Sequence, residues 1–491
     1  MAEGLIVAID QGTTGTTVLA VGEDGGIRGR GYAEITQHYP QPGWVEHDAT
    51  QIWESVLAST RDALVAAGAE AAAVQAVGLT NQRETLVLWD RVSLQPLHHA
   101  VVWQDRRTAE ECDRLRQTGN EERVRHLTGL VIDPYFTATK LRWCLDNVAG
   151  AAGAAAGTVD SWLIANLTGG AHLTDASNAS RTQLLDIGPG TWSAELGELF
   201  GVPLGMLPEV VASSGVIAET RPDRFLGIRA PIAGVAGDQQ AALFGQACLE
   251  RGMAKNTYGT GSFVLLQAGA ERIESRTGML TTIGWLRDGR LSYALEGAIF
   301  VTGAALQWLR DGLRILSSAS EAGPLAESVK DTGGVYMVPA FTGLGAPYWD
   351  AYARGTIVGL TRGTGRAEVV RAAVEAMAYQ TCDVVEAMAA DAGSPFRELR
   401  IDGGASVMNF LGQFQADLLG IPVRRPRITE TTGLGAAFLA GRGAGVWASD
   451  SELAGVWQLD REFLPGMSRD EAASLQAGWH EAVKRSRGQH H

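Results

Sequence analysis

One pattern constrains the fold more than any other: an apolar run that ends in a turn of glycine and threonine, met near the start of the chain and again just past its middle. Residues 5–9 (LIVAI) are continuous and β-rich and lead through Asp10 into Gln11-Gly12-Thr13-Thr14-Gly15. Residues 256–261 (NTYGTG) feed a second such strand at 264–267. After the first turn, residues 16–21 and 27–35 read as two more strands joined by a tight glycine turn, so the opening segment predicts an antiparallel meander. Such a turn aims backbone N–H groups and hydroxyls into one concavity, which suits phosphate oxygens, although any hairpin needs glycine there. A chain of 491 residues is too long for one ordinary core. The repeat divides it into two comparable halves, residues 1–246 and 247–491. The expected class is α/β, with mixed sheets flanked by helices and a cleft between the halves. Such a cleft is a favoured place for a nucleotide and a small substrate.

Between the two repeats lies AGDQQAALFG, residues 236–245, where an apolar run at 230–235 opens into a helix of small residues. Asp238 is the one acid there. Taken alone it reads as a helix N-cap, a role Asp favours. A carboxylate at the C-terminal end of a strand, beside a glycine, also sits where α/β proteins face their ligands.

The sum of 41 Lys and Arg against 55 Asp and Glu is −14, with no basic block, which argues against nucleic acid as a partner. An anionic ligand would therefore need arranged amides or a metal ion. The four cysteines, Cys112, Cys144, Cys248 and Cys382, are widely spaced and predict buried free thiols in a reducing compartment. With a strand beginning by Leu5, no signal peptide is expected, and no apolar run reaches the ~18 residues of a membrane span. A cytoplasmic protein is the expectation. The terminal His490–His491 pair reads as readily as a tag remnant as anything functional.

Several segments place charge or aromatic groups at strand ends. Residues 48–67 predict an amphipathic helix capped by Asp48, with Gln51 at the capping-box position and Trp53, Val56, Leu57, Thr60 and Leu64 on one face. Asn81-Gln82-Arg83-Glu84-Thr85 lies between two apolar runs, where a charged pair is expensive unless something polar satisfies it or it is a solvated turn. Residues 101–105 repeat the pattern with Trp103, and the helix expected at 106–117 looks solvent-exposed. Asn178-Ala179-Ser180-Arg181 is a polar turn with no assigned role, and residues 201–231 look loop-rich. Later, a helix over 302–313 presents Gln307, a long helix runs from 367 to 392, and Asp402-Gly403-Gly404 lets backbone lie flat against a base or ribose.

No Walker A loop, strict GxGxxG, HExxH or GxSxG occurs. What remains, in order, is DQGTT at Asp10, AGDQQ at Asp238 and DGGAS at Asp402. That set resembles the ribonuclease H-like, actin-like ATPases, a superfamily that includes the heat-shock chaperones and hexokinase. NQRET (81–85), VWQDRR (102–107), GLVIDPYF (129–136), KNTYGTG (255–261) and FTGLGAPYWD (341–350) sharpen the resemblance. With them the chain is similar to the FGGY carbohydrate-kinase family, and within it to members that phosphorylate glycerol. The likeness spans almost the whole chain.

The resemblance implies an ATP:glycerol phosphotransferase that uses Mg²⁺. It implies that Arg83, Glu84 and Tyr135 hydrogen-bond the glycerol hydroxyls, that Trp103 and Phe263 pack its carbons, that Asp238 is the catalytic base and that Gln239 is a second hydroxyl partner. Arg83 and Glu84 would then satisfy each other and the ligand. Thr13, Thr14, Gly15 and Thr260 would hold the phosphates, Gly303, Gln307 and Gly404 the nucleoside, and Asp10 with Asp238 the metal. By family habit the protein would be a homodimer or higher homo-oligomer. Thr17 and Met408 stand where relatives often carry a basic residue and an asparagine, so no nucleotide contact is expected from Thr17 and none from the Met408 side chain. Residues 221–229 lack the regulatory features of some relatives, which predicts weak or absent control there.

Overall fold

The computed structural model describes residues 4–487, so the His490–His491 pair lies outside the described residues. The opening meander forms as the sequence predicts: β1 (Leu5–Gln11), β2 (Gly15–Gly22) and β3 (Ile27–Glu34) pair antiparallel, with Asp10 opposite Thr17 beside the first turn. Helix α1 (Ala49–Ala67) packs Ile52, Val56, Ala63 and Leu64 into the same core. Asp48 caps it by accepting from the Thr50 N–H at 2.8 Å, and Gly68, at φ 62°, ends it. Gln51 does not close a capping box. Its Oε1 instead accepts from the Thr36 N–H at 2.7 Å, because that loop comes within its reach.

The rest of the large sheet repeats the opening. The first half adds β4 (Val74–Asn81), β5 (Ser214–Glu219) and β6 (Pro231–Gly237). The second supplies β7 (Met253–Tyr258), β8 (Ser262–Gly269), β9 (Leu280–Arg287), β10 (Arg290–Ile299), β11 (Glu398–Asp402), β12 (Val423–Pro426) and β13 (Leu459–Phe463). All belong to one 13-stranded sheet, ordered β13-β12-β11-β7-β8-β10-β9-β5-β6-β4-β1-β2-β3. In each half an antiparallel meander (β3-β2-β1; β10-β8-β7) continues into parallel strands (β4 and β6; β11 and β12). The halves join where Ser214 of β5 pairs with Arg287 of β9, within the stretch that sequence alone reads as loop. The fold is therefore mixed α/β in two parts, as expected.

Glycine content follows from close packing across this join. Helix α6 (Thr431–Gly443) of the second half lies on β1, β4 and β6 of the first and against α3 (Asp238–Gly245). A Cβ on Gly78 would stand 2.2 Å from the Ala436 carbonyl oxygen, and one on Gly435 1.8 Å from that of Ala241. Only glycine permits such approach. The long helix α5 (Arg366–Ala392) buries Val370, Ala373, Met377, Val384 and Met388 in the second-half core.

The segment after Trp103 departs from expectation. Its helix is Ala109–Gln117 and buries Cys112 and Leu115, so it is amphipathic rather than solvated. The Arg107 side chain is wholly buried, its guanidinium 3.8 Å from the Trp44 ring centroid and 4.5 Å from that of Trp143, and paired with Asp105 and Glu46. Two aromatic faces and two carboxylates compensate its desolvation.

Candidate active site

At the C-terminal end of β4 the chain turns through Gln82, Arg83 and Glu84, all buried. Glu84 adopts φ 62°, a left-handed conformation that costs a non-glycine residue roughly 1–3 kcal/mol. Its carbonyl is pinned by the Thr137 hydroxyl at 3.0 Å and by Lys140 Nζ at 3.3 Å, both from α2 (Thr137–Asn147). Lys140 also donates to the Tyr135 carbonyl at 2.7 Å, so one buried amine fixes the backbone under two of the predicted polyol ligands. Burial drives this lysine's pKa down to about 7.

Arg83 and Glu84 form the buried ion pair the sequence reading expects, but it is a long one and does not satisfy them alone. They stand 3.8 Å apart, and each has a stronger partner. Arg83 Nη1 meets Glu296 Oε2 at 2.5 Å, while Arg181 Nε donates to Glu84 Oε1 at 2.6 Å and its Nη2 to Glu296 Oε1 at 3.0 Å. Two arginines and two glutamates thus form a neutral buried cluster, the arrangement that desolvated charge requires. Burial alone would raise both carboxyls. At Glu296 the two guanidiniums outweigh it and hold the pKa down to about 2, whereas at Glu84 burial prevails and the pKa is raised. Arg181 belongs to the short helix Ala176–Ala179 and its C-terminal turn, the polar segment given no role above.

Asp238 is the first residue of α3, and Gly237 takes the N-cap position, so the cap reading fails. Its Oδ1 lies 3.1 Å from Arg83 Nε and accepts from the Gln239 N–H at 2.7 Å, and its side chain stays 31 % exposed. That exposure lets a ligand reach it. The Phe263 ring centroid is 5.9 Å from the Arg83 guanidinium, and Trp103 meets Tyr135 edge-on at 5.5 Å. Trp103 Nε1 also donates to the Thr13 hydroxyl at 3.0 Å, which ties the aromatic wall to the first glycine–threonine turn. Gln239 is buried, and its Oε1 is taken by Lys255 Nζ at 2.5 Å, leaving its amide N–H groups to donate. Lys255, pushed down to about 8 by burial despite the nearby Asp402 and Asp238, escapes a reading based on the turn that follows it.

The turns expected from sequence to hold the nucleotide are built differently. Thr14, Gly259, Thr260, Gln307 and Gly404 are exposed, and their turns are held by backbone. Gly12 N–H donates to Gly15 O at 2.9 Å, and Gly303, the first residue of α4 (Gly303–Asp311), donates to Gly259 O at 3.1 Å. Gly403, at φ 81°, presses on the Tyr258 backbone, which brings the diglycine turn beside Gly259 and Thr260. Gln307 lies farther along α4, with no contact to the acceptor residues among those described above. Asp10 lies on β1 beside the first turn, within range of the Asp238 charge. Burial, reinforced by the charge of Asp238, raises its pKa to about 7. A pair of carboxylates near enough for the charge of Asp238 to act on Asp10 fits a divalent cation. No group of three or more His, Cys, Asp or Glu suited to a metal occurs among the described residues, so waters and phosphate oxygens would complete the shell, as Mg²⁺ prefers.

Comparison with known proteins finds relatives along nearly the whole chain. Residues 5–245 match the model of the FGGY family of carbohydrate kinases, N-terminal domain, and residues 254–444 that of the C-terminal domain. A curated protein named glycerol kinase from Dechloromonas aromatica is 55% identical, the match covering 99% of this chain and 98% of that one. Glycerol kinase 2 of Thermotoga maritima is 53% identical, over 98% and 99%. Among solved structures, Plasmodium falciparum glycerol kinase with ADP superposes with a TM-score of 0.93 at 33% identity, covering 99% of each chain. A ligand-bound xylulose kinase from Lactobacillus acidophilus shares the fold at a TM-score of 0.88 and 21% identity, over 98% and 97%.

Proposed function

The chain belongs to the FGGY family of carbohydrate kinases, and we propose that it transfers the γ-phosphoryl group of ATP to glycerol, giving sn-glycerol 3-phosphate and ADP. The observation that carries this reading is a cluster of contacts, in which Arg83 is held to Glu84 and Asp238 and faces Phe263, while Trp103 packs edge-on against Tyr135. An uncharged triol needs polar partners for its oxygens and an apolar wall for its CH groups. The near full-length relatives named glycerol kinase support the same acceptor.

In this reading Arg83, Glu84, Tyr135 and the Gln239 amide orient the hydroxyls, with Trp103 and Phe263 against the carbons. Asp238 accepts the proton of the attacking hydroxyl as its oxygen bonds to the γ-phosphorus and the bond to the ADP oxygen breaks. Thr13, Thr14 and Gly15 hold the phosphates from one side and Thr260 from the other, while Gly303, Gln307 and Gly404 line the nucleoside. Asp10 and Asp238 would hold Mg²⁺, which when bound neutralises phosphate charge. The division of labour follows residues 1–246 and 247–491, with the polyol pocket mainly in the first and the nucleoside turn in the second. A homo-oligomer acting in the cytoplasm completes the reading. Among the described residues no helix is long and apolar enough to cross a membrane.

The test is ADP release by the wild-type protein with Mg-ATP and a panel of acceptors. Glycerol should stimulate it most. Stimulation by xylulose, erythritol or gluconate with none by glycerol would leave the family and remove the substrate.

A further inference from the structure

The acceptor pocket contains a residue from the far half of the molecule that the reaction as described does not use. Glu296 sits on β10, wholly buried, in register with Leu265 of β8 and Leu280 of β9. Interior strands on both sides give its backbone no freedom. Its carboxylate meets both nitrogens of one edge of Arg83, Oε2 to Nη1 at 2.5 Å and Oε1 to Nη2 at 3.2 Å. Gln240 Oε1 takes a further contact from Nη1 at 3.2 Å. The Nη edge is thereby consumed, and the Nε edge is the one turned toward Asp238, at 3.1 Å, and Glu84, at 3.8 Å. A bidentate pair of this kind fixes the plane of a guanidinium as well as its position. The same oxygen that holds Arg83 Nη2 also accepts from Arg181, so Glu296 keeps two like charges side by side.

We infer that Glu296 is the positioning residue for the polyol, acting through Arg83 by presenting its Nε edge to the acceptor and to Asp238. The inference rests on the proposed function, since it needs Arg83 to touch the acceptor. Phe263 reaches the pocket from the neighbouring strand, where it pairs with Ala298, two residues beyond Glu296. The second half thus supplies the pocket with an apolar wall and an anchor for its cation.

Two variants separate positioning from mere support. Glu296→Asp keeps the buried charge but is shorter by one CH₂ and cannot span both nitrogens of Arg83. Glu296→Gln keeps the length and removes the charge. In Glu296→Asp the KM for glycerol should rise by about tenfold, the scale of one lost charge-assisted hydrogen bond, while the KM for ATP and the melting temperature stay near wild type. In an Arg83→Lys background the same change should add almost nothing, because the residue it acts through is already altered. A glycerol KM unchanged in both variants overturns the inference. So does an equal rise for both substrates, or full additivity with Arg83→Lys. Wild-type protein that ignores glycerol overturns the functional reading and this inference with it, whereas active wild type with unaffected variants overturns only the inference.

Discussion

In the site proposed above, acceptor and nucleotide are recognised in opposite ways. On the acceptor side the work is done by side chains that are buried, charged and fixed before any ligand arrives: Arg83, Glu84, Arg181 and Glu296, with Lys140 and Lys255 close by. On the nucleotide side it falls to exposed glycines and threonines whose turns are set by backbone hydrogen bonds. Ligand chemistry accounts for the difference. A neutral triol offers hydrogen bonds with a net worth of about 1 kcal/mol each, too little to order several long charged side chains at up to about 2 kcal/mol apiece. Their ordering must come from the protein. A nucleotide carries its own charge and can order an open turn as it binds.

The comparison can be broken at its most expensive point. Arg181→Leu leaves Glu84 and Glu296 to share Arg83, an uncompensated buried carboxylate. Unfolding free energy from urea titration should fall by about 3–5 kcal/mol. A loss below 1 kcal/mol would mean the cluster is not a pre-ordered ionic unit. On the other side Gly403→Ala should act on ligand affinity. Its φ of 81° disfavours alanine, and the new Cβ would stand 2.4 Å from the Tyr258 carbonyl oxygen, displacing the turn. The KM for ATP should rise by roughly tenfold with that for glycerol nearly unchanged. An equal rise for both would show the two sides to be less separable than drawn here.

The smallest effect at neutral pH lies at the junction. His47 bonds Gln37, which holds the Thr13 carbonyl, and Gln82, which neighbours Arg83. Burial, with His38 nearby, depresses its pKa to about 4. The folded chain therefore takes up this proton less readily than the unfolded one. The associated stability is complete above about pH 6.5 and is lost as the pH falls towards 4. In His47→Gln, melting temperature should decline less steeply over that window than in wild type. Parallel slopes would remove His47 from the acid response.

How much of this was legible in the chain follows the same division. Turns rich in glycine and threonine announce themselves by composition, so the first meander, the second turn at 256–261 and the diglycine at 403–404 could be read directly. Arg83 and Glu84 were visible as a charged pair between apolar runs. Their partners were not. Arg181 is the last residue of a short polar turn, and Glu296 is one acid inside the apolar run YALEGAIF, brought to Arg83 across 213 positions. A lone charge mid-strand was the available signal, but pairing over such distance depends on sheet order, which no local pattern encodes. Lys140 was hidden for the same reason. Asp238 was legible only as one of two alternatives, and the structure decides against the cap because Gly237 occupies that position.

The most direct test of the central claim is ADP release with Mg-ATP, with and without glycerol, in wild type and Asp238→Asn. The account predicts glycerol-dependent turnover in wild type and a loss of about 10²–10⁴-fold in kcat in the variant. Turnover within a few fold of wild type in Asp238→Asn would contradict it, because the acceptor's proton would then be taken by a group other than Asp238.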